Sequence, residues 1–500
     1  MTMKNTNILS ELYKGLIGVK SWLSRGFVLF SALFTLGVGQ VWGAESTVKG
    51  GYIYFDEYNS GYTGAGDMQF WVGHSGYSCS YSMSKVTNTK LWYCEASSWG
   101  DASYFAFTSS ANWPCEGNDY YSRITTQTWK SGKKESYTIN SGNYYVFKVA
   151  STANKAAVNS DSPYGHQGTA VTSLNKTITI KAKVSTDNGG SYSESTAHGK
   201  LTGKSKTFTA VTTCTTAQSA TLNDGTASTT MSCGYTAETV LTAADKDGYA
   251  FKGWYNSSGT QLTTNKNCTI YVTGAETYYA YYNKLYTISA SSTVVWDLCG
   301  NEKSWSAVYL YRDIEGGSAT NDAFTQCGTT TQYSKTYASA VNNMKVFLFR
   351  SNTSNWNDYT HTTDLYRDVS GVTLFEYDGT DNGGSPKKLN WQVTTGAKKA
   401  TSGTKVYFDN TNANWGEIWL KYGTTRFNRH TGAAATKVTG TANLYVITMP
   451  EAYYVNWYFA SSYGWTARNT IVDTHVGKRI PIQSTDLTSD ITFVPTGSTS

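Results

Sequence analysis

The sequence predicts an all-β protein assembled from several tandem modules, and three observations carry that expectation. The composition is that of twisted sheets and tight turns: 39 Tyr, 16 Trp and 46 Gly, but only six Pro and 15% charged residues. Apolar and polar residues alternate over short runs, the period of half-buried strands. The chain also repeats itself, which is the strongest sign of modular architecture. At roughly 100–150 residues per domain, 500 residues suggest about three to five domains. The net charge of +6 is mild for this length, and no block of Lys or Arg forms a phosphate-binding stripe. Nucleic acid is therefore disfavoured as a partner.

Residues 1–44 read as an address. Lys4, Lys14, Lys20 and Arg25 precede the apolar run Phe27–Val38. Val41 and Gly43 then stand where a signal peptidase accepts small residues, so cleavage after 43 or 44 is expected. The run falls short of the roughly 20 residues of a membrane span, and an uncleaved signal anchor is the alternative. No Cys follows it, which disfavours a lipid anchor. The mature chain has no other long apolar stretch, so an exported protein without a membrane span is expected.

Three modules are expected at 45–165, 286–395 and 396–500. Their starts match: "GGYIYFDEYN" from Gly50, "STVVWDLCGN" from Ser292 and "GTKVYFDNTN" from Gly403. Their middles match too. "KVTNTKLWY" at 85–93 answers "KVTGTANLYV" at 437–446, and each is followed by a strand ending in Phe with a Trp six residues on, Phe107 to Trp113 and Phe459 to Trp465. The middle copy is looser, with Trp356 seven residues after Phe349. "DNGGS" at 187–191 and 381–385 carries hairpin chemistry. Several such strands make a sandwich of about 100 residues.

Residues 166–203 are expected as a linker or extra strands. The 204–284 stretch is different in kind. Its phrase Gly248-Tyr249-Ala250-Phe251-Lys252-Gly253-Trp254-Tyr255 resembles the core of the Listeria–Bacteroides repeat of bacterial surface proteins. That resemblance implies a β-grasp-like repeat domain, used as a stalk or interaction module on a secreted or wall-exposed protein. The signal peptide ending in "VWG" also resembles those of Bacteroides-type surface proteins.

Eight cysteines, at 79, 94, 115, 214, 233, 268, 299 and 327, form no CxxC and no zinc spacing. Export permits disulfides. Cys214–Cys233 and Cys299–Cys327 are the pairs expected first, with buried free thiols as the alternative.

"VYFDNTNANWGEIWLKY", from Val406 to Tyr422, resembles the first two strands of the starch-binding modules of carbohydrate-binding families 25 and 26. In that family two Tyr of the second strand help form a sugar platform, and the matching positions are Tyr309 and Tyr311. In the last module they are Trp419 and Lys421, and in the first Gln69 and Trp71. The family's later Trp-Pro-Gly segment is missing from all three copies. The resemblance implies polysaccharide or glycan as the partner. Chemistry supports it, because a pyranose presents an apolar C–H face that a flat aromatic ring covers at little entropic cost. Tyr309 and Tyr311 share one strand face, opposite Val308 and Leu310. The alternative is that such an aromatic pair is core. Trp305 and Trp415 precede the second strands. Trp113, Trp356 and Trp465 follow turns, where an indole either forms a platform or plugs the end of a sandwich. The candidate carbohydrate-binding residues are thus Trp71, Trp113, Trp305, Tyr309, Tyr311, Trp356, Trp415, Trp419 and Trp465.

No catalytic signature is evident. Six His are scattered without HExxH, and neither GxSxG nor a P-loop occurs. Asp56, Asp297 and Asp409 recur at one place in the repeats, which suits a turn-forming role and not a single active site. Asp378 and Asp381 lack the acidic ladder of a calcium loop and read as a hairpin turn. No cofactor or metal is expected. The expected function is a non-enzymatic, exported surface protein that binds carbohydrate. The alternatives are a purely structural or adhesive surface protein, or the accessory region of a larger glycoside hydrolase.

Overall fold

The structure is a computed structural model and describes residues 46–58, 68–74, 77–102, 104–108, 120–125, 138–139, 144–149, 166–298, 305–328, 330–423, 431–454, 456–461, 479–481 and 486–495. The signal segment 1–44, Trp113, Cys299 and Trp465 lie outside the described residues. Every regular element described is a β-strand. The protein is all-β and multidomain.

One pairing scheme is used three times. Ser46–Asp56 runs antiparallel to Leu91–Ala102 and parallel to Tyr144–Val149. Ser292–Asp297 lies likewise between Gln332–Tyr337 and Val372–Asp381. Lys405–Asp409 lies between Leu444–Thr448 and Ile491–Phe493. The second strands repeat the pattern: Met68–His74, Tyr309–Ile314 and Trp419–Gly423 each pair antiparallel with two neighbours. The register matches as well, with Phe70 opposite Phe107, Leu310 opposite Phe349 and Leu420 opposite Phe459. Trp71 therefore occupies the position of Tyr311, and Trp419 that of Tyr309.

Period-2 alternation decides which side chains fill the cores. In the 286–395 module, Val294, Trp296, Leu310, Phe347, Phe349 and Phe375 are almost fully buried between two sheets. In the last module, Val406, Phe408, Leu420, Ile447 and Phe459 do the same. Each such aliphatic or aromatic side chain contributes about 1.5–3 kcal/mol on burial.

The unit before them begins ahead of residue 204. Asn175–Ser185 pairs with Ser228–Gly234 and runs parallel to Glu276–Lys284, while His166–Val171 extends the first module's sheet. A second sheet, built on Leu201–Ala210 and Glu238–Ala243, packs over the first around Ile178, Leu241, Trp254 and Tyr282.

Neighbouring units are joined by buried contacts. Tyr54, Leu91 and Val146 of the first module pack with Leu174, Cys214, Tyr235 and Ala237 of the next unit. Val295, Cys327 and Leu374 pack with Ala397 and Tyr453 of the last module. Between the second and third units, Tyr286 Oη donates to Thr186 O, and Lys252 pairs with Glu315 at 2.8 Å.

The cysteine expectation needs correction. Cys94, Cys214, Cys233, Cys268 and Cys327 are free and buried. The expected Cys214–Cys233 bridge is absent; Cys214 lines the first joint, and Cys233 lies in the core of its own unit. Cys327 packs at the last joint. Burial pushes the Cys94 thiol up to about 12 and that of Cys214 up to about 11, so both stay protonated and unreactive.

Candidate aromatic site on the 286–395 module

The strand Tyr309–Ile314 buries Leu310 and leaves Tyr309 and Tyr311 partly open on its other face. Its neighbour Val341–Arg350 places Arg350 opposite Tyr309. Beyond Arg350 the chain turns. Asn352 Oδ1 accepts the backbone N–H of Ser354 and of Asn355, and Asn355 Oδ1 accepts that of Asn357. These Asx turns are the local chemistry that Asn supplies in tight loops, and they bring Trp356 back over the sheet.

Trp356 is 42% exposed, and three side chains pack against its ring. The guanidinium carbon of Arg350 lies 3.9 Å from the indole centroid. Tyr311 meets the indole edge-on at 5.3 Å and 86°, and His361 does so at 5.1 Å and 77°. Arg350 is itself buried, 1% exposed. It donates from Nη2 to Asn355 O at 3.1 Å, while its Nε has no hydrogen-bond partner. Burial holds its pKa below the usual arginine value. Burial likewise depresses His361, with Arg350 and Lys388 adding to the effect, so its imidazole is neutral at neutral pH. An open hollow of about 510 Å³ adjoins the indole, lined by Trp356, Asn357, Asp358, Ser385 and Pro386. The arrangement presents one flat apolar ring beside amide and carboxylate groups, the surface chemistry that suits a sugar ring or another flat polar ligand.

Two of the expected platform residues are core residues instead. Trp305 is 7% exposed, stacks on Trp296 at 5.8 Å, and donates from Nε1 to Tyr359 O at 2.9 Å. Trp415 is also 7% exposed and stacks on Phe408 at 5.3 Å. Asn410 grips the Trp415 backbone through both amide atoms, accepting its N–H at 2.8 Å and donating to its C=O at 2.9 Å. The turn therefore folds the indole over the end of the core, where it replaces water on the aromatic ring below. Trp419 is half-buried and donates to Glu417 Oε2 at 3.1 Å. Trp71 stands on its strand opposite Ser80 and Ala106.

The recurring Asp positions also divide. Asp409 accepts the Thr411 N–H in a local turn. Asp56 and Asp297 are buried and hydrogen-bond to side chains distant in sequence. Asp56 accepts from Tyr235 Oη of the next unit, and Asp297 from Thr331 and Gln332. Asp378 and Asp381 accept the backbone N–H of Thr380 and Gly383 within the hairpin. No group of His, Cys, Asp and Glu fit to hold a metal occurs among the described residues. The sequence reading missed Arg350 and His361. Only the charge ending the apolar strand "VFLFR" marked the first, and nothing marked the second.

No protein-family model and no curated protein matches the chain. Solved structures resemble it distantly. The Bacillus anthracis TIE protein is 6% identical over 65% of this chain, with a TM-score of 0.18, and this chain spans 50% of its length. The full-length major pilin SpaD from Corynebacterium diphtheriae is 9% identical over 64% of this chain and 96% of its own, with a TM-score of 0.20. The tip fimbrial protein Mfa3 from Porphyromonas gingivalis is 8% identical over 44% of this chain and 99% of its own, with a TM-score of 0.16. At these scores the likenesses identify no family and carry no functional argument.

Proposed function

We infer that the protein is a non-catalytic, exported surface protein whose 286–395 module binds polysaccharide or glycan through Trp356. The observation that carries this reading is the 42% exposure of Trp356 while Arg350 lies against its indole ring and the Tyr311 and His361 rings pack on it at near-perpendicular angles. A ring already immobilised loses little freedom when a sugar stacks on it. One stacked aromatic contributes on the order of 1 kcal/mol beyond area burial, so a single site binds weakly. Repeated engagement along a polymer raises the apparent affinity. The phrase Gly248–Tyr255 and the signal segment support the surface assignment.

Affinity electrophoresis of the mature chain through gels containing different polysaccharides tests the reading. Retardation by at least one of them is expected, together with its loss in Trp356→Ala. If no gel slows the chain, the sugar reading fails. The second reading, a structural surface protein, then gains ground. It is favoured by the buried joints between units, where Gln332 and Tyr235 hydrogen-bond across module boundaries.

A further inference from the structure

We propose that the outer sheet face of the last module docks the first module of a second copy of this chain, joining copies head to tail. The inference comes from three register-equivalent positions. The first lies two residues before the recurring Asp, the second opposite that Asp, and the third on the parallel neighbour. In the first module they are Tyr54, Leu91 and Val146. In the 286–395 module they are Val295, Gln332 and Leu374. In the last module they are Tyr407, Leu444 and Thr492.

The first two sets are buried to 6% exposure or less, and in each case the covering groups include residues of the unit that follows. The third set has no following unit among the described residues. Tyr407 and Leu444 are half-buried, Thr492 is exposed, and the adjacent Val494 is 51% exposed. The face thus keeps large apolar side chains at two docking positions while leaving them in contact with water, which burial against a partner would relieve.

The occupant follows from how the last module docks. It presents to the module before it the antiparallel pair Lys398–Ala400 with Ala452–Tyr454, which lies just ahead of its first strand. Gln332 reads the backbone of this pair, accepting the Tyr453 N–H and donating to the Tyr453 C=O, both at 2.6 Å. The first module carries a pair in the corresponding place, continuous with its own first strand: Ser46, Val48 and Lys49 lie opposite Ala102, Trp99 and Ser98. A second copy therefore brings an edge of the same construction to a face of the same construction. Leu444 stands where the first joint has Leu91, so this contact is of the apolar kind seen at that joint. Such a contact is heterologous, joining different surfaces of the two copies, so each added copy leaves one face and one edge for the next unless the rotation closes a ring.

The proposal is independent of the glycan reading. Sedimentation of the mature chain at rising concentration is expected to show increasing mass. Leu444→Arg and Val494→Arg, at a half-buried and a 51% exposed position, are expected to abolish that rise with unchanged thermal unfolding. A photo-crosslinking residue at Leu444 should capture residues 46–49 or 98–102 of another copy. Three results would each overturn the proposal: a constant monomer at every concentration, association unchanged in Leu444→Arg, or crosslinks joining the 405–448 faces of two copies.

Discussion

Trp305 and Trp356 share a module and a side chain but do opposite things. The first is 7% exposed, with its Nε1 satisfied by Tyr359 O; the second lies against Arg350 and is 42% exposed. Trp305→Ala should therefore cost the isolated 286–395 module about 3–5 kcal/mol. Trp356→Ala should cost about 1 kcal/mol, the loss of its contact with Arg350. Denaturant unfolding of both variants checks this, and equal losses would place Trp356 in the core. His361 adds a pH dependence. Unfolded, it takes up a proton near its ordinary value of 6.5; folded, burial and Arg350 resist protonation until lower pH. Between the two values the unfolded chain binds more protons, so stability is full above about 6.5 and falls as pH drops toward the folded value. Unfolding midpoints at about pH 7.5 and about pH 5.5 should differ in the native module, and the difference should shrink in His361→Phe.

In strand Tyr249–Tyr255 a glycine is required for a steric reason. Gly253 has φ +147, and a Cβ there would lie 2.6 Å from the backbone O of Thr263 and 2.8 Å from the Gln261 amide nitrogen. The register of this strand against Glu276–Lys284 shifts between Phe251 and Gly253, and the bulge turns Trp254 into the core. Gly253→Ala combines backbone strain with a clash that a carbonyl cannot avoid, and should destabilise the unit built on Asn175–Ser185 and Glu276–Lys284 by about 1–3 kcal/mol. Calorimetry of that unit would test it, and an unchanged transition would mean that the strand slides its register to make room. The Gly in the "FKGWY" phrase was visible in the sequence. The approach of Gln261–Thr263 that demands it was not.

The joints determine whether four units behave as beads or as one body. At the last joint a single amide, Gln332, satisfies the N–H and C=O of Tyr453 while also donating to Asp297. Gln332→Ala leaves buried partners unpaired, a cost of about 1–3 kcal/mol. The last two modules should then melt in separate calorimetric steps and become more sensitive to protease near residues 395–398, whereas the native chain should couple them. A variant that melts like the native chain would show that Val295, Leu374 and Ala397 carry the joint alone. The repeat phrases at 85–93 and 437–446 revealed that two modules share a fold, since their strands pair in the same register. They did not reveal that Asp56 and Asp297, alike in sequence position to the turn-forming Asp409, are buried at or beside such joints.

The sequence by itself determined what depends on neighbours along the chain. Alternation set the strand faces, so Leu310 is core and Tyr311 is not; Asn and Gly placed the turns; and repeated phrases revealed repeated modules. The tertiary structure decided what depends on residues distant in sequence but close in space. Trp305 and Trp415 look like Trp356 in the sequence, each an indole after a polar stretch that follows an apolar run. Their fates diverge because Trp296 and Phe408 lie beneath the first two, inside sandwich ends closed to water, whereas Arg350 lies beneath the third at a surface. Cys214 and Cys233 look like a pair, yet one points into a joint and the other into a core. A side chain's own chemistry and its local pattern are written in sequence order. Whether its outer face meets water, another ring or another module depends on packing between strands that the chain brings together only when folded.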